Sequence, residues 1–269
     1  MNRKHNLLLP VMAFVILLGL QVTAINAFAQ APGGFGPGGP GGGPGGPGAG
    51  GQGRRSNVPP VPIAGDTTHT LTRSFIAATT VKKAPDADGF IQRWLVLEPV
   101  KNNRSNTTMT DTYLHSQLAT DNFSTDYNII PKNGETVKIG GKDLKWYALD
   151  SKAFNFNLYH FSYATNTTRN GVLFWLVTVI NCAEDIKNVR LSAGANSAGI
   201  FWINGKEVIT IPGDKDVIAD LYTSSLLTLK KGKNVIRTMV VNGQGMSNFC
   251  VRFLNDNGTP LKNYTISVD

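Results

Sequence analysis

From residue 58 onward the apolar positions fall into short runs separated by turn residues, a pattern of strands rather than helices. Leu71–Thr80 alternates and is rich in Thr, which predicts a strand. Arg93–Val100 is a short apolar run closed by Pro99, and Thr136–Leu149 reads as a hairpin around Gly140-Gly141. Phe154–Tyr163 alternates aromatic with polar residues and predicts a half-buried strand. Gly171–Asn181 is continuously apolar, as expected of a strand covered on both faces. Further strands are predicted at 189–193, 200–203, 207–211, 226–229, 234–241, 249–254 and 264–268. Asn204-Gly205 between two such runs is a strong hairpin signal, because both turn positions need positive φ. A single helix is expected over Asp111–Ala119, capped by Thr110 or Asp111. Many short strands at this spacing predict an all-β, two-sheet β-sandwich or jelly roll, with no repeat of fixed period.

The first 57 residues follow other rules. Arg3, Lys4 and His5 precede the apolar run Leu7–Leu20, and Ala27-Phe28-Ala29 supplies small residues before Gln30. This is the pattern of a cleaved signal peptide over residues 1–29, so the expected destination is the periplasm or the cell exterior. The chain has no Cys before Cys182, so no lipid-anchoring cysteine stands at the cleavage point. Cleavage there removes Arg3 and Lys4 and no acidic residue, taking the formal charge from +8 to +6. After cleavage no transmembrane segment is expected. Of the 29 glycines, 14 lie between Gly33 and Gly53 with four prolines, so residues 30–57 read as a flexible linker. Residues 58–269 remain as one sandwich domain.

Composition then narrows the chemistry. The basic residues are scattered and form no stripe with stacking aromatics, so nucleic acid is not an expected partner. His69, His115 and His160 are not spaced as a metal pair. Ala195-Asn196-Ser197-Ala198-Gly199 is the nearest approach to a nucleophile elbow, but it lacks the first Gly and leads into a strand. Glu98, Asp150, Asp214, Asp216 and Asp220 are read as solvated carboxylates rather than a glycosidase pair. No cofactor is expected. Structural calcium, at Asp214-Lys215-Asp216 or the Asn/Asp-rich stretch 121–128, has no supporting motif. Cys182 and Cys250 either pair as a disulfide in an oxidising compartment or pack as buried thiols.

Four stretches carry a family likeness: 89–100, 143–164, 170–182 and 199–253, the last with FWINGKEV and LTLKKGKNVIRTMVVN. Together they resemble the galactose-binding-like jelly-roll accessory domain of bacterial polysaccharide-degrading enzymes. They are most similar to the N-terminal domain of acetylxylan and feruloyl esterases from gut Bacteroidetes. The resemblance implies a non-catalytic helper that binds a xylan-type polysaccharide or oligosaccharide, with a separately encoded esterase or glycosidase as a further partner. The sequence ends at Asp269, where those esterases continue into an α/β-hydrolase domain. The alternatives are a truncated or subunit form of such an esterase, and a cell-surface structural or adhesion module. Sugar binding needs aromatic faces flanked by hydrogen-bonding side chains. Trp175 and Trp94 are expected in the core, and Trp146/Tyr147 and Phe201/Trp202 are adjacent pairs of which one member each faces out. The expected binding residues are Trp146, Tyr159, His160, Trp202 and Asn204.

Overall fold

In the computed structural model, residues 69–102 and 109–269 are described, apart from the side chains of Asp214 and Lys215. The signal segment and the Gly/Pro-rich linker lie outside these residues. After a 3₁₀ turn at Leu71–Arg73, the strands are β1 (Phe75–Ala77), β2 (Arg93–Leu97), β3 (Val100–Lys101), β4 (Thr136–Ile139), β5 (Lys142–Ser151), β6 (Phe156–Asn157), β7 (Val172–Cys182) and β8 (Ile186–Ala195). They continue with β9 (Ser197–Ile203), β10 (Lys206–Lys215), β11 (Tyr222–Thr223), β12 (Leu227–Leu229), β13 (Gly232–Asn242), β14 (Asn248–Asn255) and β15 (Thr265–Ser267). Helices α1 (Asp111–Leu118) and α2 (Leu158–Ala164) complete the list. Among the described residues, no helix is long and apolar enough to cross a membrane.

The strands form two antiparallel sheets, as an all-β sandwich requires. The larger runs β1-β5-β2-β7-β13-β9-β10, with β3 and β15 on β7 and β4 on β5; the smaller runs β11-β8-β14-β6, with β12 on β8. Between them lies a core of Trp94, Leu149, Phe174, Leu176, Phe201, Ile236 and Val240 from the larger sheet and Leu191, Phe249, Val251 and Phe253 from the smaller. The opposite face of the larger sheet is covered too. Leu95, Trp146, Trp175, Val177, Trp202, Met239 and Val241 pack there against Tyr113 and Leu114 of α1 and against Phe123, Tyr127 and Ile130 of the following loop. Burial on both faces is why β7 has no polar alternation. It is also why Trp146, Phe201 and Trp202 are buried and Tyr147 is only partly exposed: each half of a pair meets a different core.

Local chemistry explains most boundaries. Gly140 and Gly141 take φ of +56° and +78°, and Asn204 and Gly205 take +50° and +79°, so both hairpins turn as anticipated. Thr110 caps α1 by accepting from the Tyr113 amide. Two regions differ from expectation. The segment 71–80 gives the 3₁₀ turn and only a three-residue strand. The alternating segment 154–163 pairs as a strand only at Phe156–Asn157, then turns helical, because Asn157 Oδ1 accepts from the His160 amide at 2.8 Å and caps α2. Leu158 and Phe161, three apart, then bury one helical face.

Candidate functional site

The structure divides the five anticipated binding residues between two places. Trp146 and Trp202 are 1% and 4% exposed. Their rings meet Phe123 (centroids 4.9 Å apart) and Tyr127 (5.2 Å) of the covering loop, so neither offers an open face to a sugar. Asn204 is spent on the fold: its Oδ1 accepts from the Val235 amide and its Nδ2 donates to Asn234 Oδ1, each at 2.9 Å.

Beneath the same loop lies Arg237, fully buried on β13. Its guanidinium carbon sits 4.0 Å from the Phe123 ring centroid, 4.2 Å from Tyr127 and 4.3 Å from Trp175. Nη1 donates to the carbonyls of Ser124 (3.0 Å) and Asp126 (3.2 Å), and Nη2 to Asn122 Oδ1. The Asn/Asp-rich stretch weighed for calcium thus turns its oxygens toward an internal cation. Burial lowers the Arg237 pKa to about 10, which leaves it charged at neutral pH. Among the described residues no cluster of His, Cys, Asp and Glu is arranged to hold a metal.

Tyr159 and His160 lie elsewhere, on the partly exposed side of α2. Tyr163, one turn on, shares the face of Tyr159. The helix stops in a Schellman arrangement: the Asn166 amide donates to the Tyr163 carbonyl (3.2 Å) and the Thr167 amide to that of Ser162 (2.9 Å), with Asn166 at φ +53°. The loop that follows is anchored by Asn242 Nδ2, which donates to the Arg169 carbonyl at 2.7 Å. That anchoring brings the Arg169 guanidinium over both tyrosines, 5.5 Å from the Tyr159 centroid and 5.3 Å from Tyr163. His69 stacks on Tyr163 at 4.8 Å and bonds its carbonyl through Nδ1 at 2.6 Å. His160 Nδ1 shares a 2.9 Å hydrogen bond with Ser74 Oγ, and burial together with Arg73 lowers its pKa. Arg169 had no motif to announce it. The i, i+4 tyrosine pair was a readable signal, but only for a helix.

The same loop lines a surface cleft of about 550 Å³ with Asn166, Thr167 and Thr168. Glu98, Lys101, Asp121 and Lys142 contribute its charges, and Val100, Ile139 and Leu144 its apolar floor. Glu98 is held by the Lys145 amide and the Tyr147 hydroxyl, each at 3.1 Å, and burial beside this carboxylate pushes the Tyr147 pKa up to about 12.

Three of the hydrolase candidates, Ser197, Asp150 and Asp220, take structural roles. Ser197 has φ of +77°, but it lies where the chain crosses from the smaller sheet to the larger. Its Oγ is buried and donates to Asn242 Oδ1 at 3.2 Å, with no histidine bonded to it. Asp150 is bonded by Arg93 at 2.8 and 2.9 Å, and Asp220 by Arg252 and Ser192. Cys182 and Cys250 are both free and buried, which removes the disulfide. The reason is parity: Cys182 points into the core between the sheets, whereas Cys250, between the core residues Phe249 and Val251, points to the other side of its sheet.

No family model matches this chain, and no curated protein matches it. Solved structures resemble it at low identity. A β-glucosidase from Kluyveromyces marxianus aligns with a TM-score of 0.35 and 18% identity over 45% of this chain and only 16% of its own. The PA14 domain of the MpAFP antifreeze protein aligns with a TM-score of 0.38 and 14% identity, over 71% of this chain and 96% of that one. A PA14 sugar-binding domain from an RTX adhesin gives 0.31 and 12%, over 72% and 95%.

Proposed function

We propose that this chain is an exported, non-catalytic carbohydrate-binding β-sandwich that assists the breakdown of plant-type polysaccharide. The observation that carries this reading is the tyrosine pair of α2 with Arg169 over both rings. Pyranose rings present C–H faces that pack on tyrosine, and a neighbouring guanidinium supplies hydrogen bonds to oxygens at the ring edge. The adjoining cleft offers Asn166, Thr167, Thr168 and Lys101 to further hydroxyls, and its size suits one or two sugar units. The esterase-domain resemblance favours a xylan-type backbone and a separately encoded esterase or glycosidase as companion. A buried Ser197 without a bonded histidine favours a binding role over ester hydrolysis. Affinity electrophoresis against xylan and other glycans tests this reading. Retardation that weakens in Tyr159→Ala and Tyr163→Ala is expected, and no retardation on any glycan would overturn it. Edman sequencing of secreted protein should begin at Gln30.

A further inference from the structure

Arg169 differs from its counterparts in what its donors do. Arg93 is bound to Asp150, Arg252 to Asp220, Arg190 to the Ser224 carbonyl at 2.9 Å and Arg237 to loop carbonyls. The Arg169 guanidinium meets two tyrosine rings and, among the described residues, no carboxylate and no hydrogen-bond acceptor. The segments packed about it hold no acid; the carboxylates of the adjoining cleft are Glu98, held by the Lys145 amide and the Tyr147 hydroxyl, and Asp121. The sequence has no Asp or Glu from His69 to Pro85, none from Lys152 to Ala183, and none in the loop 243–247. These segments supply the 3₁₀ turn packed on α2, α2 itself, the loop carrying Arg169, and the loop whose Ser247 carbonyl accepts from the Leu158 and Tyr159 amides. β14, also packed on α2, contributes one charged side chain, Arg252, already paired with Asp220. Besides the two tyrosines, the titratable and charged groups packed about this face are therefore His69, Arg73, Lys152, His160, Arg169 and the already paired Arg252.

A guanidinium beside two rings still presents a planar fork of donors that matches a carboxylate in two parallel hydrogen bonds. The rings also keep water from one side, which strengthens such a pair. A neutral sugar stacked on Tyr159 or Tyr163 leaves this fork with hydroxyls alone. A uronic acid carries its carboxylate at the ring edge, beside the tyrosine face.

We propose that the face formed by Tyr159, Tyr163 and Arg169 is specific for acidic glycans: a sugar ring stacks on tyrosine and the carboxylate of a uronic acid unit docks on Arg169. This rests on the carbohydrate-binding reading of the same face. The test is calorimetric titration of the full exported chain with a uronic-acid-bearing oligosaccharide and with its carboxyl-reduced counterpart, at low and raised salt. The acidic oligosaccharide should bind at least about tenfold more tightly, as one charge-assisted bidentate pair implies. Arg169→Ala should weaken binding of both sugars and abolish the difference between them, and Arg169→Lys should restore part of that difference. Equal affinity for the two sugars, or a preference that survives Arg169→Ala in a variant with unchanged melting temperature, overturns acidic specificity but leaves carbohydrate binding intact. Equal binding of polyglutamate also overturns it, since attraction to any polyanion would then suffice. Binding of none of the sugars overturns both readings.

Discussion

Arg237 and Arg169 both lie against aromatic rings, yet one is sealed inside and the other waits at the surface. Arg237 touches three rings, and both its terminal nitrogens donate to the loop above it. Arg169 touches two rings and gives only its backbone carbonyl to the protein. The same pairing of cation and π-system therefore serves two ends, decided by whether the guanidinium donors are consumed. Where the two terminal nitrogens are consumed, as in Arg237, the arginine fastens a loop to a sheet; where they are not, as in Arg169, they are left for the ligand we propose.

Removing each arginine should separate the two roles. Arg237→Met leaves the Ser124 and Asp126 carbonyls of the covering loop without their donor, and should cost about 3 kcal/mol of stability. Urea unfolding measures it, and a midpoint equal to that of the parent protein would erase the contrast. Arg169→Ala should change stability by less than about 0.5 kcal/mol, as for other surface sites, while lowering glycan affinity at least about tenfold. Thr110→Ala sharpens the structural side, because α1 forms part of the cover over Arg237's face of the sheet. Loss of its cap should cost about 1 kcal/mol, again by urea midpoint, with glycan binding unchanged.

The smallest effects concern two histidines. His160, near the ligand face, has its pKa lowered by burial and Arg73, so the unfolded chain binds a proton before the folded one does. Its contribution is full above the unfolded value near 6.5 and is lost as pH falls below it. His115 on α1 is shifted up, first by the Asp111 carbonyl and then by Glu207 at 2.9 Å. Its contribution is present below 6.5 and is lost as pH rises through the folded value, and exposure keeps it to a fraction of a kcal/mol. His160→Gln should flatten the loss of stability between about pH 7 and 5, and His115→Gln should steepen it. Thermal melts across that range read both slopes, and slopes of like sign would contradict these environments.

What was legible in the sequence was local. The Gly140-Gly141 and Asn204-Gly205 turns, the Thr110 cap and the unbroken run of β7 each announce their conformation through a few adjacent residues. The segment 154–163 was ambiguous because Leu158 and Phe161 fit a helix face as well as the aromatics fit an alternating strand. Asn157, which settles the matter by capping, looked like one polar position among several. The fate of Trp146 and Trp202 depended on Phe123 and Tyr127, far away in sequence, so adjacency along a strand implied exposure that the covering loop denies. One signal went unread: Arg237 stands alone in the apolar run VIRTMVV, and a charge so placed needs buried partners. The candidate site was half legible, through Tyr159 and His160, and its arginine was not.

Cys250 pairs in register with Gly194, and a methyl group at Gly194 would fall 1.9 Å from the carbonyl oxygen of Ile218. At Ile218 the chain therefore rests backbone upon backbone on β8, with no spacer between. Any side chain at residue 194 would act as a wedge beneath the Ile218 carbonyl, beside the buried Cys250 that pairs with residue 194. Gly194→Ala would turn an inert sulfur, its pKa held up to about 11 by burial, into one that alkylating reagents reach from solution. A single missing carbon atom thus keeps the chain's chemistry silent on the side of the sandwich remote from the loop-covered face of the larger sheet.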